Sequence, residues 1–97
     1  MLKIQTLDTT LRDGGLRNGH NFGESFSEEV VSRLDLLGLD YIEFSLNIAK
    51  NRSPDDYSFL DKIRRAAKRS KLAMMCMGGV TTLNDLKKFQ ASGIDLV

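Results

Sequence analysis

The sequence predicts an α/β fold built on a parallel sheet. Three strand-like segments alternate with three segments of helical periodicity, and turns rich in glycine and small polar residues separate them. This alternation predicts right-handed crossover connections, which place the strands parallel to one another in one sheet. The predicted order is βαβαβα, followed by the start of a fourth parallel strand.

The first strand is predicted over residues 2–7, and the polar, glycine-rich residues 12–23 predict a long loop after it. Ser25 and Glu28 have the spacing of a capping box, so the first helix is expected to begin there. Its apolar positions recur at helical spacing: Phe26, Val30, Leu34 and Leu37. Gly38 is the predicted stop, because glycine readily adopts the left-handed conformation that ends a helix.

The second strand is predicted over residues 40–46, with alternate side chains on opposite faces. The apolar face carries Ile42, Phe44 and Leu46, and the more polar face carries Tyr41, Glu43 and Ser45. Ser53 and Pro54 then predict a helix start, with proline at the first helical position. The apolar stripe of this second helix is formed by Leu60, Ile63 and Ala67.

The third strand is predicted over residues 71–77, where a nearly continuous apolar run favours a strand covered on both faces. Gly78 and Gly79 end it. Thr81 or Thr82 is expected to cap a third helix that stops at Gly93. The apolar positions of that helix are Leu83, Leu86 and Phe89.

The fourth strand is predicted from a repeated pattern. Residues 93–97 (Gly-Ile-Asp-Leu-Val) repeat the pattern of residues 38–42 (Gly-Leu-Asp-Tyr-Ile), which open the second strand. In the earlier copy Glu43 comes next, so the sequence stops where a polar site residue is expected. We therefore expect residues 1–97 to be an N-terminal piece of one longer domain, with no internal boundary; a natural end on a short edge strand is the alternative.

Composition excludes several classes of protein. The 97 residues are 41% hydrophobic and 28% charged, which is typical of a globular domain, and the formal net charge of +1 gives no field to attract nucleic acid or anionic lipid. No segment is long and apolar enough to span a bilayer, and no secretory signal region opens the chain. The single cysteine, Cys76, allows no internal disulfide, and its place in an apolar run predicts that it packs in the core. We expect a cytoplasmic protein that binds neither nucleic acid nor membrane.

Three charged residues are expected at the carboxyl ends of neighbouring strands, where parallel α/β proteins bind ligands. Arg12 and Asp13 follow the first strand, and Glu43 lies late in the second. A carboxylate can hold Mg²⁺ or Mn²⁺, and a guanidinium held by an acid can donate to an oxyanion, so the trio suits chemistry on carbonyl compounds. A salt-bridged loop anchor without catalysis explains the spacing equally well.

The run Leu7-Asp8-Thr9-Thr10-Leu11-Arg12-Asp13-Gly14-Gly15, followed by Tyr41-Ile42-Glu43-Phe44, resembles the start of the HMG-CoA lyase-like metal-dependent barrels. This family includes 4-hydroxy-2-oxovalerate aldolase, isopropylmalate and homocitrate synthases and pyruvate carboxyltransferase domains. The resemblance implies the N-terminal portion of a TIM (βα)8 barrel, in which Arg12 is catalytic, Asp13 binds a divalent metal, Mn²⁺ or Mg²⁺, and Glu43 supports the arginine.

The sequence departs from the family pattern in its histidines. The family's other metal ligands are a His-x-His pair on a late strand, and His20 is the single histidine of this sequence. The aldolase branch has a histidine shortly after the Arg-Asp-Gly run, where this chain has Leu16. His20 is a candidate substrate-binding acid or base, although a solvated loop histidine is the simpler interpretation. Ser45 and Asn47 share the polar face of Glu43 and are candidate substrate contacts.

Two functions are expected from these observations. The intact parent protein is predicted to be a metal-dependent lyase or aldolase that cleaves or forms a carbon–carbon bond next to a carbonyl through an enolate, with an oxo acid or acyl-CoA as substrate. Residues 1–97 alone are expected to be inactive. The alternative is a non-catalytic half-barrel that self-associates through its open sheet edges, since unpaired edges invite pairing with another copy; a homo-oligomer is expected.

Overall fold

Three short parallel strands form the centre of the structure, a computed structural model that describes residues 3–14, 23–44, 58–76, 79 and 81–97. The strands lie side by side in chain order: β1 (Leu7–Asp8), β2 (Tyr41–Phe44) and β3 (Lys71–Met74). Beyond β3, Leu96 forms a parallel bridge with Ala73, and the N–H of Met74 donates to the carbonyl of Leu96 at 2.9 Å. The predicted parallel order and the beginning of a fourth parallel segment are therefore confirmed.

Within the described ranges, four helices connect or follow these strands. They are α1 (Thr10–Asp13), α2 (Glu24–Leu36), α3 (Ser58–Ala66) and α4 (Leu83–Ala91). The single turn α1 begins almost directly after β1 and overlaps the start of the loop predicted over residues 12–23. None of the helices in the described ranges is both long and apolar enough to cross a membrane.

The hydrophobic core lies between one face of the sheet and the helices. Alternate residues of β2 and β3 point into it, as expected for strands with a two-residue side-chain period. The buried cluster comprises Leu11, Val31, Ile42, Phe44, Phe59, Leu60, Ile63, Ala67, Leu72, Met74 and Phe89. Ile42 and Phe44 of the predicted inner face and the predicted stripe of the second helix are confirmed by this cluster, whereas Leu46 lies outside the described residues. Ala73 is also buried, on the opposite face of β3, so this strand is covered on both faces as predicted.

The helix α2 differs from its prediction in both its start and its buried face. Its N-cap is Gly23, so Ser25 lies inside the first turn and does not cap it. Phe26 and Leu37, expected in the core, are 51% and 74% exposed. The side chains that are fully buried are Ser27, Val31 and Asp35, with Val30 and Leu34 partly buried. The helix is rotated from the predicted stripe because Asp35 faces inward to accept backbone hydrogen bonds.

The helix α4 begins as predicted but buries fewer apolar residues. Thr82 caps it through a capping box: its hydroxyl accepts from the N–H of Asp85 at 3.1 Å, and its own N–H donates to the Asp85 carboxylate at 2.9 Å. Phe89 is buried, whereas Leu83 and Leu86 are 68% and 38% exposed, so the predicted stripe is wrong at both positions. Satisfying the first turn places Asp85 inward and rotates Leu83 outward.

Gly38 and Gly93 end α2 and α4, as predicted, with backbone φ angles of +79° and +83°. At Gly93 a Cβ atom would also lie 3.0 Å from the side chain of Arg64, which would have to shift to make room for it. The predicted helix start at Ser53 and Pro54 lies outside the described residues.

The two copies of the repeated sequence pattern share one structural task. Asp40 and Asp95 occupy equivalent positions just before β2 and the fourth strand segment. The carboxylate of Asp40 accepts the N–H of Thr6 at 2.8 Å, and that of Asp95 accepts the N–H of Leu72 at 2.9 Å. Each acid thus binds the backbone of the preceding strand at the amino end of the sheet. Asp95 also pairs with Arg64 at 3.0 Å, which ties this segment to α3.

Asp35 is a buried acid that joins α2 to the start of β3. Its Oδ1 atom accepts the N–H groups of Arg69 and Ser70 at 2.8 and 2.7 Å. Burial by itself raises the pKa of this carboxyl, but the backbone N–H groups of Ser70, Arg69 and Lys68 outweigh that effect, and the pKa of Asp35 lies below its ordinary value. The charged form is therefore the one that stabilises the fold.

We expect Asp35→Ala to lower the free energy of unfolding at neutral pH by about 2–3 kcal/mol, because it leaves the buried N–H of Ser70 and the partly buried N–H of Arg69 without an acceptor. Since the folded pKa is depressed, the stabilisation is complete above the unfolded pKa of about 3.9 and is lost as the pH falls through the folded value. Urea unfolding of the wild type and the variant between neutral and acid pH measures this difference.

The matched control is Asp35→Asn, which keeps an acceptor oxygen but cannot ionise. It should cost less than Asp35→Ala and should not share the acid-induced loss that the wild type owes to this residue. A stability gap between wild type and Asp35→Asn that is the same at every pH would contradict the assignment.

Candidate functional site

The turn α1 places two charged residues at the carboxyl end of β1. Leu11 anchors it by full burial in the core, and the N–H of Asp13 closes it by donating to the carbonyl of Thr9 at 2.7 Å. Arg12 and Asp13 are the last two residues of this turn, at the edge of the sheet where β2 also ends. A single apolar side chain therefore fixes the base of a charged turn.

The guanidinium of Arg12 meets the carboxylate of Glu43. Nε of Arg12 donates to Oε1 of Glu43, and the two side chains are 27% and 13% exposed. Glu43 points away from the apolar core face of β2 and is paired in register with Ala73 of β3. The ion pair thus joins the turn after β1 to β2. It is partly shielded from water, and such charge-assisted bonds are stronger there than at the surface.

Asp13 contributes a second carboxylate with a looser attachment. Its Oδ1 lies 3.4 Å from Nη1 of Arg12, and its side chain is 62% exposed. The trio of Arg12, Asp13 and Glu43 has a net charge of −1, with most of the accessible negative charge on Asp13. The carboxylate of Glu43 is bound to the arginine, whereas the carboxylate of Asp13 is accessible to a further partner.

An open cavity of about 370 Å³ lies at this edge of the sheet. Arg12 and Glu43 form its charged wall. The remaining lining is mainly apolar and comes from the ends of β3 and the fourth strand segment: Ala73, Met74, Met75, Cys76, Leu96 and Val97. Such a combination of an apolar wall with one fixed ion pair suits a small anionic or carbonyl-containing molecule.

Sequence reasoning did not place Met75, Cys76, Leu96 and Val97 at the site. Cys76 was predicted to pack in the core; it does contact the core cluster, but it is only half-buried and also lines the cavity. Their place in the sequence could have indicated this, because they lie at the carboxyl ends of strands that meet at the same edge of the sheet.

The structure does not locate every predicted site residue. His20, Ser45 and Asn47 lie outside the described residues. Across the ranges that are described, no group of three or more histidine, cysteine, aspartate or glutamate side chains is arranged to hold a metal ion. Arg12, Asp13 and Glu43 are therefore the predicted residues that the structure brings together.

A larger groove of about 500 Å³ lies between α2 and α3, on the outer layer of the fold. Its lining includes Glu29 and Lys62, which are already paired with Arg33 at 2.8 Å and Glu24 at 3.2 Å. Because it lies away from the strand ends and these charges are neutralised, it is a weaker candidate than the cavity beside Arg12.

Comparison with known proteins identifies relatives that share almost the whole chain. No family model matches it. The chain is 31% identical to 4-hydroxy-2-oxovalerate aldolase 6 of Rhodococcus jostii over 97% of its own length and 29% of the relative. It is 31% identical to the 4-hydroxy-2-oxovalerate aldolase of Carboxydothermus hydrogenoformans, over 98% of this chain and 31% of the relative.

A third relative, the 4-hydroxy-2-oxovalerate aldolase of Chloroflexus aggregans, is 33% identical over 93% of this chain and 29% of its own length. The chain thus spans less than a third of the curated relatives that it matches. The family resemblance predicted from residues 7–15 and 41–44 is confirmed by these matches.

The Arg12–Glu43 pair should contribute measurably to folding. We expect Glu43→Ala to lower the free energy of unfolding by about 2 kcal/mol, because it leaves a partly buried guanidinium without its acceptor. Glu43→Gln keeps an acceptor oxygen and should cost less. Urea unfolding at neutral pH measures both.

The matched control is Glu29→Gln, which removes the charge of another Glu–Arg pair that is 61% and 76% exposed on α2. This change should alter stability by less than about 0.5 kcal/mol. Equal effects at Glu43 and Glu29 would show that the pair beside the cavity is an ordinary surface ion pair.

Proposed function

Because the chain is related to the 4-hydroxy-2-oxovalerate aldolases, we propose that it supplies the arginine and one metal ligand of a divalent-metal-dependent lyase of the aldolase type. The enzyme cleaves or forms a carbon–carbon bond next to a carbonyl. The observation that carries this proposal is that Glu43 holds Arg12 in the wall of a cavity at the carboxyl edge of the sheet, next to the exposed carboxylate of Asp13.

The proposed reaction on a 4-hydroxy-2-oxo acid breaks the bond between C3 and C4. The 4-hydroxyl loses its proton and becomes the carbonyl of the released aldehyde, while the bonding electrons stay on C3 and form the enolate of the 2-oxo acid. Protonation of that carbon completes cleavage, and the reverse sequence forms the bond. Negative charge therefore builds up on the oxygen of the 2-oxo group, and stabilising this oxygen lowers the barrier.

Arg12 is the group suited to that oxygen. Glu43 fixes the guanidinium through Nε, and Nη1 is only loosely engaged with Asp13. Within the described part of the chain Nη2 has no hydrogen-bond partner, so the outer nitrogens can donate to the carboxylate and the 2-oxo oxygen of a bound oxo acid. A guanidinium held on one side has little reorientation left to undergo when charge develops.

Asp13 is the residue that would hold the metal ion. Its carboxylate is a hard oxygen donor and is mostly exposed, which fits Mg²⁺ or Mn²⁺. When bound, the metal supplies a positive charge that stabilises the enolate oxygen. Asp13 alone does not complete a metal site, so the proposal needs further ligands from outside the described residues.

The size and lining of the cavity favour a compact substrate. A volume of about 370 Å³ with an apolar wall accommodates a short oxo acid more readily than an acyl-CoA, whose nucleotide would extend far beyond the strand ends. The three parallel strands are compatible with part of a (βα)8 barrel, and we propose that the complete enzyme closes such a barrel around this cavity. Self-association of the chain through its sheet edges stays a prediction, which sedimentation would test.

The test is a chimera in which residues 1–97 replace the matching segment of the aldolase from Rhodococcus jostii. We expect cleavage of 4-hydroxy-2-oxovalerate that depends on Mn²⁺. Arg12→Ala should lower kcat/KM by about 10²–10³-fold, because one preorganised donor to the developing oxyanion is lost. Arg12→Lys should recover only part of this, since an ammonium cannot donate through a rigid fork.

Asp13→Asn should raise the Mn²⁺ concentration needed for half-maximal rate. The control is Arg33→Ala, which removes an exposed arginine on α2 and should leave kcat/KM unchanged. An active chimera in which Arg12→Ala turns over normally would show that the arginine is a structural anchor. An Mn²⁺ requirement unaltered by Asp13→Asn would remove Asp13 from the metal site.

A further inference from the structure

We propose that Asp8 is the positioning residue that sets the direction of the Arg12 side chain toward Glu43. This inference rests on the proposed function, since it concerns the same site. No hydrogen bond or ion pair joins Asp8 directly to Arg12, both of which the structure describes. Asp8 acts through the backbone of the α1 turn.

Asp8 belongs to β1 by its backbone and holds α1 by its side chain. In the sheet it pairs in parallel register with Ile42, the residue that precedes Glu43. Its carboxylate accepts two hydrogen bonds from Thr10, from the N–H to Oδ1 at 2.9 Å and from the hydroxyl to Oδ2 at 3.0 Å. Asp8 therefore connects the pairing of β1 with β2 to Thr10, the first residue of the turn.

The turn has few other constraints at its beginning. The N-cap residue of α1 is Thr9, and its side chain makes no capping hydrogen bond. β1 itself pairs with β2 over only two residues. Leu11 holds the turn against the core, but a single buried side chain leaves rotation about its own axis open. The two hydrogen bonds that Thr10 donates to the Asp8 carboxylate remove that rotation. They therefore decide the direction of the Arg12 side chain, two residues further on.

An acid that accepts from both the N–H and the hydroxyl of a threonine occurs a second time, at the other end of the sheet. Asp40 accepts from the N–H of Thr6 at 2.8 Å and from its hydroxyl at 3.2 Å. The two Asp–Thr pairs share the same two donors, although at Asp40 one oxygen, Oδ2, accepts both bonds and the N–H of Asp40 donates back to the Thr6 hydroxyl at 3.0 Å. Only the pair at Asp8 is connected to the turn that carries Arg12. Asp40 therefore provides a matched control for the general loss of stability.

The first measurement is hydrogen exchange of the Arg12 Nε–H, followed by ¹⁵N NMR on the 97-residue chain. In the wild type this hydrogen is bonded to Glu43 and should be protected, compared with the Nε–H of the exposed Arg33. Asp8→Ala should remove the protection of Arg12. Asp8→Asn should retain most of it, because the amide oxygen still accepts from the N–H of Thr10 and the amide nitrogen can donate to its hydroxyl. Asp40→Ala should leave it unchanged.

If Asp8→Ala does not fold, Thr10→Val replaces it, because this variant loses only the hydroxyl bond and keeps the shape of the side chain. Partial loss of Arg12 protection is then expected. Full protection in the folded variant, in Asp8→Ala or in Thr10→Val, would overturn the proposal. Equal loss in Asp40→Ala would overturn it as well, since the effect would then be general destabilisation.

The second measurement is broadening of the amide signals of residues 12–14 by added Mn²⁺. Asp8→Ala should require about 10-fold more Mn²⁺ than the wild type for equal broadening, as when a supporting residue of a metal ligand is lost. Asp8→Asn should remain close to the wild type. If Asp8→Asn is as impaired as Asp8→Ala in both measurements, Asp8 acts by its charge and the positioning role is wrong.

The two proposals fail differently. An Mn²⁺ requirement of the active chimera that Asp13→Asn leaves unaltered would overturn the metal assignment of Asp13, and the Arg12 Nε–H measurement would still decide the role of Asp8. Normal broadening together with unchanged Arg12 protection in Asp8→Ala would retain the metal assignment and overturn the role of Asp8.

Discussion

The parallel register between β1 and β2 is the constraint on which the rest of the site depends. Pairing Leu7 with Tyr41 and Asp8 with Ile42 brings the end of β1 level with Glu43. A shift of one residue would turn Glu43 to the opposite face of the sheet, among the apolar side chains of the core. The meeting of Arg12 with Glu43 is therefore a consequence of backbone pairing, refined by the turn that follows β1.

The two ends of the sheet use acidic residues for different tasks. At the amino end, the carboxylates of Asp40 and Asp95 accept strand N–H groups, and Asp35 does the same for the residues that lead into β3. These acids stabilise the scaffold and have no free role. At the carboxyl end, Glu43 is bound to a side chain rather than to the backbone, and Asp13 remains largely exposed. Apart from Asp8, which acts on the site through the backbone N–H of Thr10, partnership with backbone N–H groups thus distinguishes structural acids from candidate functional ones among the described residues.

Much of this arrangement could be predicted from the sequence because it follows from strong local signals. Gly38 and Gly93 require the left-handed region, Thr82 matches its capping partner three residues later, and the alternation of strands and helices fixes a parallel sheet. The approach of Arg12 to Glu43 followed from topology alone, since carboxyl ends of neighbouring parallel strands share one edge.

The buried faces of α2 and α4 could not be predicted in the same way. Helical periodicity counts apolar side chains, whereas Asp35 and Asp85 are buried because of the hydrogen bonds that they accept or exchange. Each rotates its helix away from the apolar stripe. The lining of the cavity could not be predicted either. Met75 and Cys76 belong to one apolar run with the core residues of β3, and the sequence does not show that β3 ends at Met74.

The brevity of β1 has a consequence for how the molecule fluctuates. β2 and β3 pair over four residues, but β1 pairs with β2 over two and has no second strand neighbour in the described structure. Local opening in proteins begins at such weakly held edges. The segment that carries Arg12 and Asp13 should therefore detach and rebind while the remainder stays folded. A molecule that binds both this segment and the β2–β3 edge would lower the fraction of open molecules by mass action. The arginine is thus carried by the part of the fold that a bound ligand stabilises most.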